Sequence, residues 1–251
     1  MHLDVVALNK FYYRTKLGRF TKMRLNDAIL GLWGEALGQR LVGFGFAAPL
    51  LSSFIGKAEE MFCLMPGQQG VIAWPNKSDN VSVLIEETSW PIANESIDRL
   101  IILHGLETCD KPKELLQEIW RVLAPSAKVI FVVPNRSGLW ARSELTPFGY
   151  GRPYSLGQLE EQLEKNRFEV IRYSYALYAP PSEKIYWIKT LKFWEALGQR
   201  LDSRVMAGAI IVEASKQSYA LPESGVKDSI GRPLDILDGF VKPRSGSIAS
   251  K

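Results

Sequence analysis

The feature that most constrains this chain is an alternation of short, β-type apolar runs with segments of helical or turn character. Five such runs lie between residues 40 and 133, at about 40–44, 61–64, 81–85, 99–103 and 128–133. Since parallel strands need a long crossover connection, this alternation predicts an α/β fold with a doubly wound, mostly parallel sheet. Ligands of such sheets bind at the carboxyl ends of the strands, so candidate site residues are sought there.

Helix signals lie before, within and after this alternation. The N-terminal segment is expected to be helical, with Asn26 capping a second helix that ends at Gly38. The clearest helical pattern runs over 112–123 and has a proline at its first turn. Ser155 and Gln158 have the spacing of a capping box, which predicts a further helix start.

The remaining sequence completes the predicted domain organisation. Two more strand-like runs, 168–178 and 207–214, bring the predicted sheet to seven strands, with an amphipathic helical insertion at about 182–205. We therefore predict an N-terminal helical segment at 1–38, a main domain at 39–220 and a flexible polar tail at 221–251. The tail is rich in Ser, Gly and Pro, and only its 234–241 stretch is apolar enough to dock on another surface.

Composition argues against several classes of protein. The uncharged stretch 41–56 is shorter than the roughly 20 residues of a membrane span, and no secretory pattern opens the chain, so we expect a cytoplasmic protein with no membrane span. The two cysteines and two histidines have no zinc-site spacing, so neither a disulfide framework nor a metal is expected. The net charge is +4, but aromatic-basic stacking motifs are lacking, which makes a nucleic-acid partner unexpected.

A glycine turn follows the first predicted strand. Gly43 and Gly45 precede a predicted helix, and glycine lets backbone N–H groups approach a ligand closely. A dinucleotide loop would add a third glycine where Ala48 stands, and an acid about 20 residues further on, where 63–65 is Cys-Leu-Met. NAD binding is therefore disfavoured, and a tight strand-to-helix turn stays open as the structural explanation of the glycines.

The segment 86–135 carries a more specific pattern. Its residues resemble those of class I S-adenosylmethionine-dependent methyltransferases, in particular the methyltransferase type 11 group, at Glu86, Trp90-Pro91-Ile92, Ser96-Ile97-Asp98, Leu106-Glu107 and Arg121-Val122-Leu123-Ala124-Pro125. Ser126-Ala127 replaces the family's usual glycine pair. The similarity extends over about 38–180, and TPFGYGRPYS at 146–155 is similar to a subgroup with a degenerate first loop. The resemblance implies the methyltransferase fold and S-adenosylmethionine as cofactor.

The resemblance also implies a site. The cofactor-binding residues would be Gly43, Phe44, Gly45, Phe46, Ala47, Glu86, Glu87 and His104. Glu86 takes the place of the acid that binds the adenine amino group, and His104 would be the catalytic base, with Tyr13 or Tyr150 as a gate or substrate contact. A solvated loop acid and a structural histidine are the alternative explanations of Glu86 and His104.

Two positions depart from the family pattern. Leu41 stands where an acid normally orients the glycine loop, and Met65 stands near the acid that holds the ribose hydroxyls, with Gln68 and Gln69 as neutral substitutes. Charge-assisted hydrogen bonds contribute about 1.5–3 kcal/mol each, so losing two weakens affinity by about two to four powers of ten. The sequence predicts a methyltransferase with an unknown acceptor; the alternative is an inactive pseudo-methyltransferase serving as a regulatory or scaffold partner. The oligomeric state is not predicted.

Overall fold

The computed structural model describes residues 3–34, 38–76, 78–201 and 204–217. Within these residues, seven strands form one sheet in the order β3-β2-β1-β4-β5-β7-β6. The strands are β1 (Arg40–Gly45), β2 (Glu60–Pro66), β3 (Ser82–Ile85), β4 (Ile97–Leu103), β5 (Leu123–Pro134), β6 (Phe168–Ala176) and β7 (Ala209–Lys216). Strand β7 runs antiparallel to β5 and β6, whereas the pairs among β1 to β5 are parallel. The predicted α/β class and mostly parallel seven-stranded sheet are confirmed. The expectations for the tail at 221–251 lie outside the described residues.

Helices cover both faces of the sheet. They are α1 (Val5–Asn9), a π-helical turn (Lys10–Arg14), α2 (Lys16–Trp33), α3 (Ala48–Leu51), α4 (Pro112–Val122), α5 (Leu156–Lys165) and α6 (Ile185–Leu201). Buried side chains of α1, α2, α3 and α6 share one apolar core with one face of the strands. Buried side chains of α4 and α5 share a second core with the opposite face. This arrangement explains why the central strands are almost continuously apolar.

The N-terminal helices divide at a different residue from the one predicted. The chain becomes extended at Thr15, whose hydroxyl accepts a hydrogen bond from Gly18 N (2.9 Å) and so caps the start of α2. Asn26 lies inside α2, and its side-chain amide donates to the carbonyls of Lys22 (3.0 Å) and Pro49 (3.3 Å). The expected cap at Asn26 is therefore wrong, because this amide fixes α2 against α3 instead.

The other predicted helices occur close to their expected positions. The Ser155 and Gln158 side chains form the reciprocal capping box of α5, and proline opens α4. The amphipathic insertion is the helix α6. Among the described helices, none has the length and apolar character needed to cross a bilayer. In the same part of the chain, His, Cys, Asp and Glu side chains form no group of three that could hold a metal ion.

Candidate cofactor site

The glycine turn joins β1 to α3 at the carboxyl edge of the sheet. Gly45 has a φ of +76°, and a Cβ added there would lie 2.4 Å from the carbonyl oxygen of Leu103. Phe46 N donates to the same carbonyl (2.7 Å), which fastens the turn to the end of β4. Glycine is required at position 45 because both its backbone conformation and its close approach to β4 exclude a side chain.

Gly43 allows Ala47 and Leu51 to pack closely against the backbone of β1. A Cβ at this position would lie 2.7 Å from both the Ala47 Cβ and the Leu51 side chain. Residues of α3 therefore fill the space that the missing side chain leaves. Of the two explanations of this glycine, the tight strand-to-helix turn agrees with its surroundings.

The predicted binding residues do not all lie on one side of the sheet. The Phe44 ring packs in the α4 and α5 layer, where it stacks on Trp90 with ring centroids 4.9 Å apart. Glu86, directly after β3, is exposed. Glu87 is half-buried and approaches Cys109, whose pKa is raised to about 12 by burial and by a hydrogen bond to the Glu87 carboxylate.

His104 is the centre of a buried hydrogen-bonded chain. It directly follows β4 with a φ of +52°, and its Nε2 lies 2.8 Å from the Tyr12 hydroxyl. Its Nδ1 lies 2.9 Å from Glu107 Oε1. A carboxylate accepts from Nδ1–H, which leaves Nε2 to accept the Tyr12 proton. Both ring nitrogens are thus occupied, and burial, followed by the charge of Glu107, raises the pKa of Tyr12 well above its ordinary value.

The N-terminal helices cover this edge of the sheet. Val5 N donates to the carbonyl of Gln69 in the loop after β2 (2.8 Å), and Gln69 Nε2 donates to the carbonyl of His104 (3.0 Å). The Tyr12 ring stacks on Phe46 with centroids 5.8 Å apart. Tyr12 therefore fills the space between the glycine turn and the end of β4, which is where the family resemblance places the cofactor.

The residues of this edge do not fit S-adenosylmethionine in the arrangement described. The resemblance would place acids at positions 41 and 65, and both residues there are fully buried in the apolar core: Met65 near the end of β2, and Leu41 near the start of β1, away from the glycine turn. Among the described residues, the buried acceptors near this edge that receive no hydrogen bond include Gln69 Oε1, Glu87 Oε1 and Glu107 Oε2. The carboxyl edge therefore has unpartnered polar groups, as a binding site would, but the space beside them is filled by side chains of this chain, Tyr12 above all.

Tyr12 is the functional-site residue that the sequence did not identify. The predicted contact Tyr13 is half-buried with Lys22 Nζ 5.0 Å from its ring centre, and Tyr150 donates its hydroxyl proton to the carbonyl of Glu144 (3.2 Å). The wide π-helical turn at Lys10–Arg14 changes the phase of the helix, so that Tyr12 points inward. The FYY triplet at 11–13 signalled an aromatic contact but not which ring makes it.

A surface pocket opens beside Glu107. It has a volume of about 420 Å³ and is lined by residues that include Glu107, Cys109, Asp110, Tyr150 and Arg152. The pocket touches the buried chain of Tyr12, His104 and Glu107 at its Glu107 end. It is a place where a second molecule could reach the loop that follows β4.

Comparison with known proteins finds one matching family model and several solved structures of the same fold. Residues 43–131 match the family model described as a methyltransferase domain. A comparison with curated protein sequences finds no match. The structural neighbours include a SAM-dependent methyltransferase from Archaeoglobus fulgidus, with 14% identity, a TM-score of 0.58 and coverage of 84% of this chain and 99% of that one.

Two further neighbours show what the same fold serves elsewhere. One is from a Haloferax volcanii complex with the Trm112 methyltransferase activator, with 14% identity, a TM-score of 0.58 and coverage of 84% and 98%. The other is the [4+2]-cyclase SpnF, with 18% identity, a TM-score of 0.51 and coverage of 76% and 79%. The chain has the class I S-adenosylmethionine-dependent methyltransferase fold, and at these identities the structural likeness establishes the fold alone.

Proposed function

We infer that this chain is a pseudo-methyltransferase. It has the class I S-adenosylmethionine-dependent methyltransferase fold, and residues 43–131 match the model of a methyltransferase domain. We propose that its N-terminal helices have replaced the cofactor and that it acts as a regulatory or scaffold partner of another protein. One observation carries this proposal: Tyr12 is fully buried between Phe46 and His104, with its hydroxyl 2.8 Å from the histidine.

The energetic cost of opening the site supports the proposal. A cofactor would have to displace Tyr12 together with the neighbouring buried side chains Leu8 and Phe11. Re-exposing each such side chain costs about 1.5–3 kcal/mol, which lowers the apparent affinity by roughly three powers of ten or more. The missing acids at Leu41 and Met65 add to this loss, so that little affinity is left.

A partner role agrees with two of the fold's neighbours. A structural neighbour from Haloferax volcanii is bound to a methyltransferase activator, and another is a [4+2]-cyclase. The fold therefore accommodates both protein partners and other activities. For this chain we expect a stoichiometric protein complex on purification from its native host.

The second candidate is a methyltransferase that opens before it binds. The unpartnered acceptors Gln69 Oε1 and Glu107 Oε2 favour it, because a ligand with amino or hydroxyl donors would satisfy them. In that state His104 would be free of Tyr12 and available as the base. Methyl transfer to an unknown acceptor would then follow release of the N-terminal helices.

Calorimetry separates the two candidates. The full chain is titrated with millimolar S-adenosylmethionine and S-adenosylhomocysteine, and we expect no heat of binding. The Tyr12→Ala variant, which removes the ring between Phe46 and His104, should also give none, because no acid replaces Leu41 or Met65. The matched control is Tyr150→Ala, which removes a tyrosine that bonds to Glu144 instead.

Two results would contradict the proposal in different ways. Micromolar binding by the unaltered chain would show an ordinary cofactor site and refute the replacement of the cofactor. Micromolar binding by Tyr12→Ala alone would show that the N-terminal helices act as a lid, and would favour the second candidate. Circular dichroism of each variant confirms that the fold is retained.

A further inference from the structure

Helix α6 presents an unusual outer surface. Its inner side is held by the buried residues Leu191, Glu195 and Gly198, and Glu195 accepts the backbone N–H of Tyr178 (2.9 Å). Its outer side exposes large apolar side chains, with relative exposures of 68% for Ile185, 68% for Tyr186 and 62% for Phe193. A helix whose aromatic residues face outward in this way has an unpartnered apolar surface.

The charges on the same side of α6 all have one sign. Among the described side chains of this helix, the exposed charged ones are Lys189, Lys192 and Arg200, and its buried acid Glu195 lies on the opposite side. Exposed positions recur three or four residues apart and therefore form one stripe, at Ile185, Lys189, Phe193, Ala196 and Arg200. Apolar and basic side chains thus alternate on one surface.

Helix α2 extends this surface. A groove of about 370 Å³ between α2 and α6 is lined by Met23 and Lys192 among others, and Arg24 Nε lies 3.5 Å from Glu195 Oε1 across it. The outer side of α2 exposes Lys16, Arg19 and Met23, and also Asp27, whose carboxylate is paired with Arg24 Nη1 at 3.1 Å. We name the exposed residues of α2 and α6 together the basic-apolar surface: Lys16, Arg19, Met23, Ile185, Tyr186, Lys189, Lys192, Phe193 and Arg200.

We propose that the basic-apolar surface binds the headgroup region of an anionic lipid bilayer, with α6 lying in the plane of the interface. Charge complementarity sets the sign of the partner, because the exposed charges of α6 are positive. The exposed side chains of Ile185 and Met23 gain from burial in hydrocarbon and offer no ring on which a nucleic-acid base could stack, whereas the exposed rings of Tyr186 and Phe193 suit either partner. Half-buried Trp187 and Trp194, with centroids 5.8 Å apart, supply the indole rings that favour bilayer interfaces.

The proposal is independent of whether the chain binds a cofactor, because the surface lies on the outer sides of α2 and α6. It concerns attachment to a membrane surface and no membrane span. The chain would then bring its partner, or its acceptor, to a bilayer that carries negative charge.

Vesicle co-sedimentation of the full chain tests this proposal. We expect binding to vesicles of phosphatidylcholine mixed with phosphatidylglycerol, weaker binding at high salt, and little binding to phosphatidylcholine alone. Each basic side chain near such a surface strengthens partitioning roughly fivefold, so the Lys189→Gln/Lys192→Gln variant should lose roughly 25-fold. The variant Ile185→Ser/Phe193→Ser should lose about tenfold or more, because the apolar insertion disappears.

The matched control removes two lysines from the other face of the sheet. In Lys113→Gln/Lys165→Gln the net charge falls equally, but both residues lie on the α4 and α5 side. This variant should bind the anionic vesicles as the unaltered chain does. An equal loss in the control, or no binding to anionic vesicles at all, would overturn the proposal, as would salt-sensitive binding to a mixed-sequence DNA duplex without any binding to vesicles.

Discussion

Two buried glutamates lie towards opposite ends of the sheet, and their surroundings differ. Glu213, in β7, is surrounded by donors: Trp33 Nε1 donates to it (3.1 Å), Lys128 Nζ lies 3.4 Å away, and Arg172 forms a close ion pair. Glu107, after β4, contacts His104 through one oxygen, while its other oxygen accepts no hydrogen bond from the described residues.

The difference separates a structural end of the sheet from a functional one. The cations around Glu213 belong to several strands and balance its charge, so this end holds the sheet and α2 together. At the carboxyl end a buried carboxylate oxygen is left without a donor, which proteins tolerate mainly where a site is or was used, whereas the unbonded Nη1 of Arg99 at the other end lies 4.0 Å from the carboxylate of Glu213. This contrast agrees with the rule that ligands of open α/β sheets bind at the carboxyl ends of the strands.

The largest effect is expected at Glu213. Replacing it with glutamine leaves Lys128, Arg172 and the more distant Arg99 without their counter-charge. Removing one partner of a buried ion pair costs about 3–5 kcal/mol, and we expect about 3 kcal/mol here because Lys128 and Arg172 are partly exposed. Urea unfolding measures the free energy of unfolding.

The control for Glu213→Gln is Glu169→Gln on the neighbouring strand β6. Glu169 is exposed, so its replacement should change the free energy of unfolding by no more than about 0.5 kcal/mol. If the two variants were equally stable, the ion pairs of Glu213 would contribute nothing to the free energy of unfolding. The structural role given to this end of the sheet would then be wrong.

Alkaline pH should weaken the carboxyl end through Tyr12. Its pKa in the folded chain is raised above the ordinary value near 10, so above that pH the unfolded chain releases the tyrosine proton while the folded chain keeps it. Stability that is present below pH 10 is therefore lost as the pH rises further, by about 1.4 kcal/mol for one pH unit. The measurement is the difference in free energy of unfolding between pH 9 and pH 11.

The Tyr12→Phe variant isolates this contribution. At pH 8 it should lose about 1–2 kcal/mol, because His104 Nε2 keeps no donor, but its further loss towards pH 11 should be smaller than that of the unaltered chain. Tyr150→Phe, whose hydroxyl bonds to an exposed carbonyl, should retain the full dependence. An identical pH dependence in Tyr12→Phe would mean that Tyr12 is not held in the buried, protonated form.

The sequence predicts the strands and helices better than it predicts the side-chain contacts at the carboxyl end of the sheet. Strands and the helices α4 and α5 follow from local periodicity, from a proline at a first turn and from a capping box, all of which act within a few residues. The contact between Tyr12 and His104 joins residues 92 positions apart, and a π-helical turn decides which tyrosine makes it. Glu107 stands within the Leu106-Glu107 pair that carried the resemblance, yet its contacts with His104 depend on the positive φ at His104, which no local pattern indicated.

The smallest effect is expected for the same substitution at the carboxyl end. In Glu107→Gln the amide oxygen can still accept from His104 Nδ1–H, and the buried charge is removed. The change in free energy of unfolding should therefore stay within about 1 kcal/mol of the unaltered chain, against about 3 kcal/mol for Glu213→Gln. Urea unfolding of both variants at one pH makes the comparison direct. If Glu107→Gln lowered the free energy of unfolding as much as Glu213→Gln, the carboxyl end would also depend on a buried charge for its stability. The distinction between a structural end and a functional end of the sheet would then be wrong.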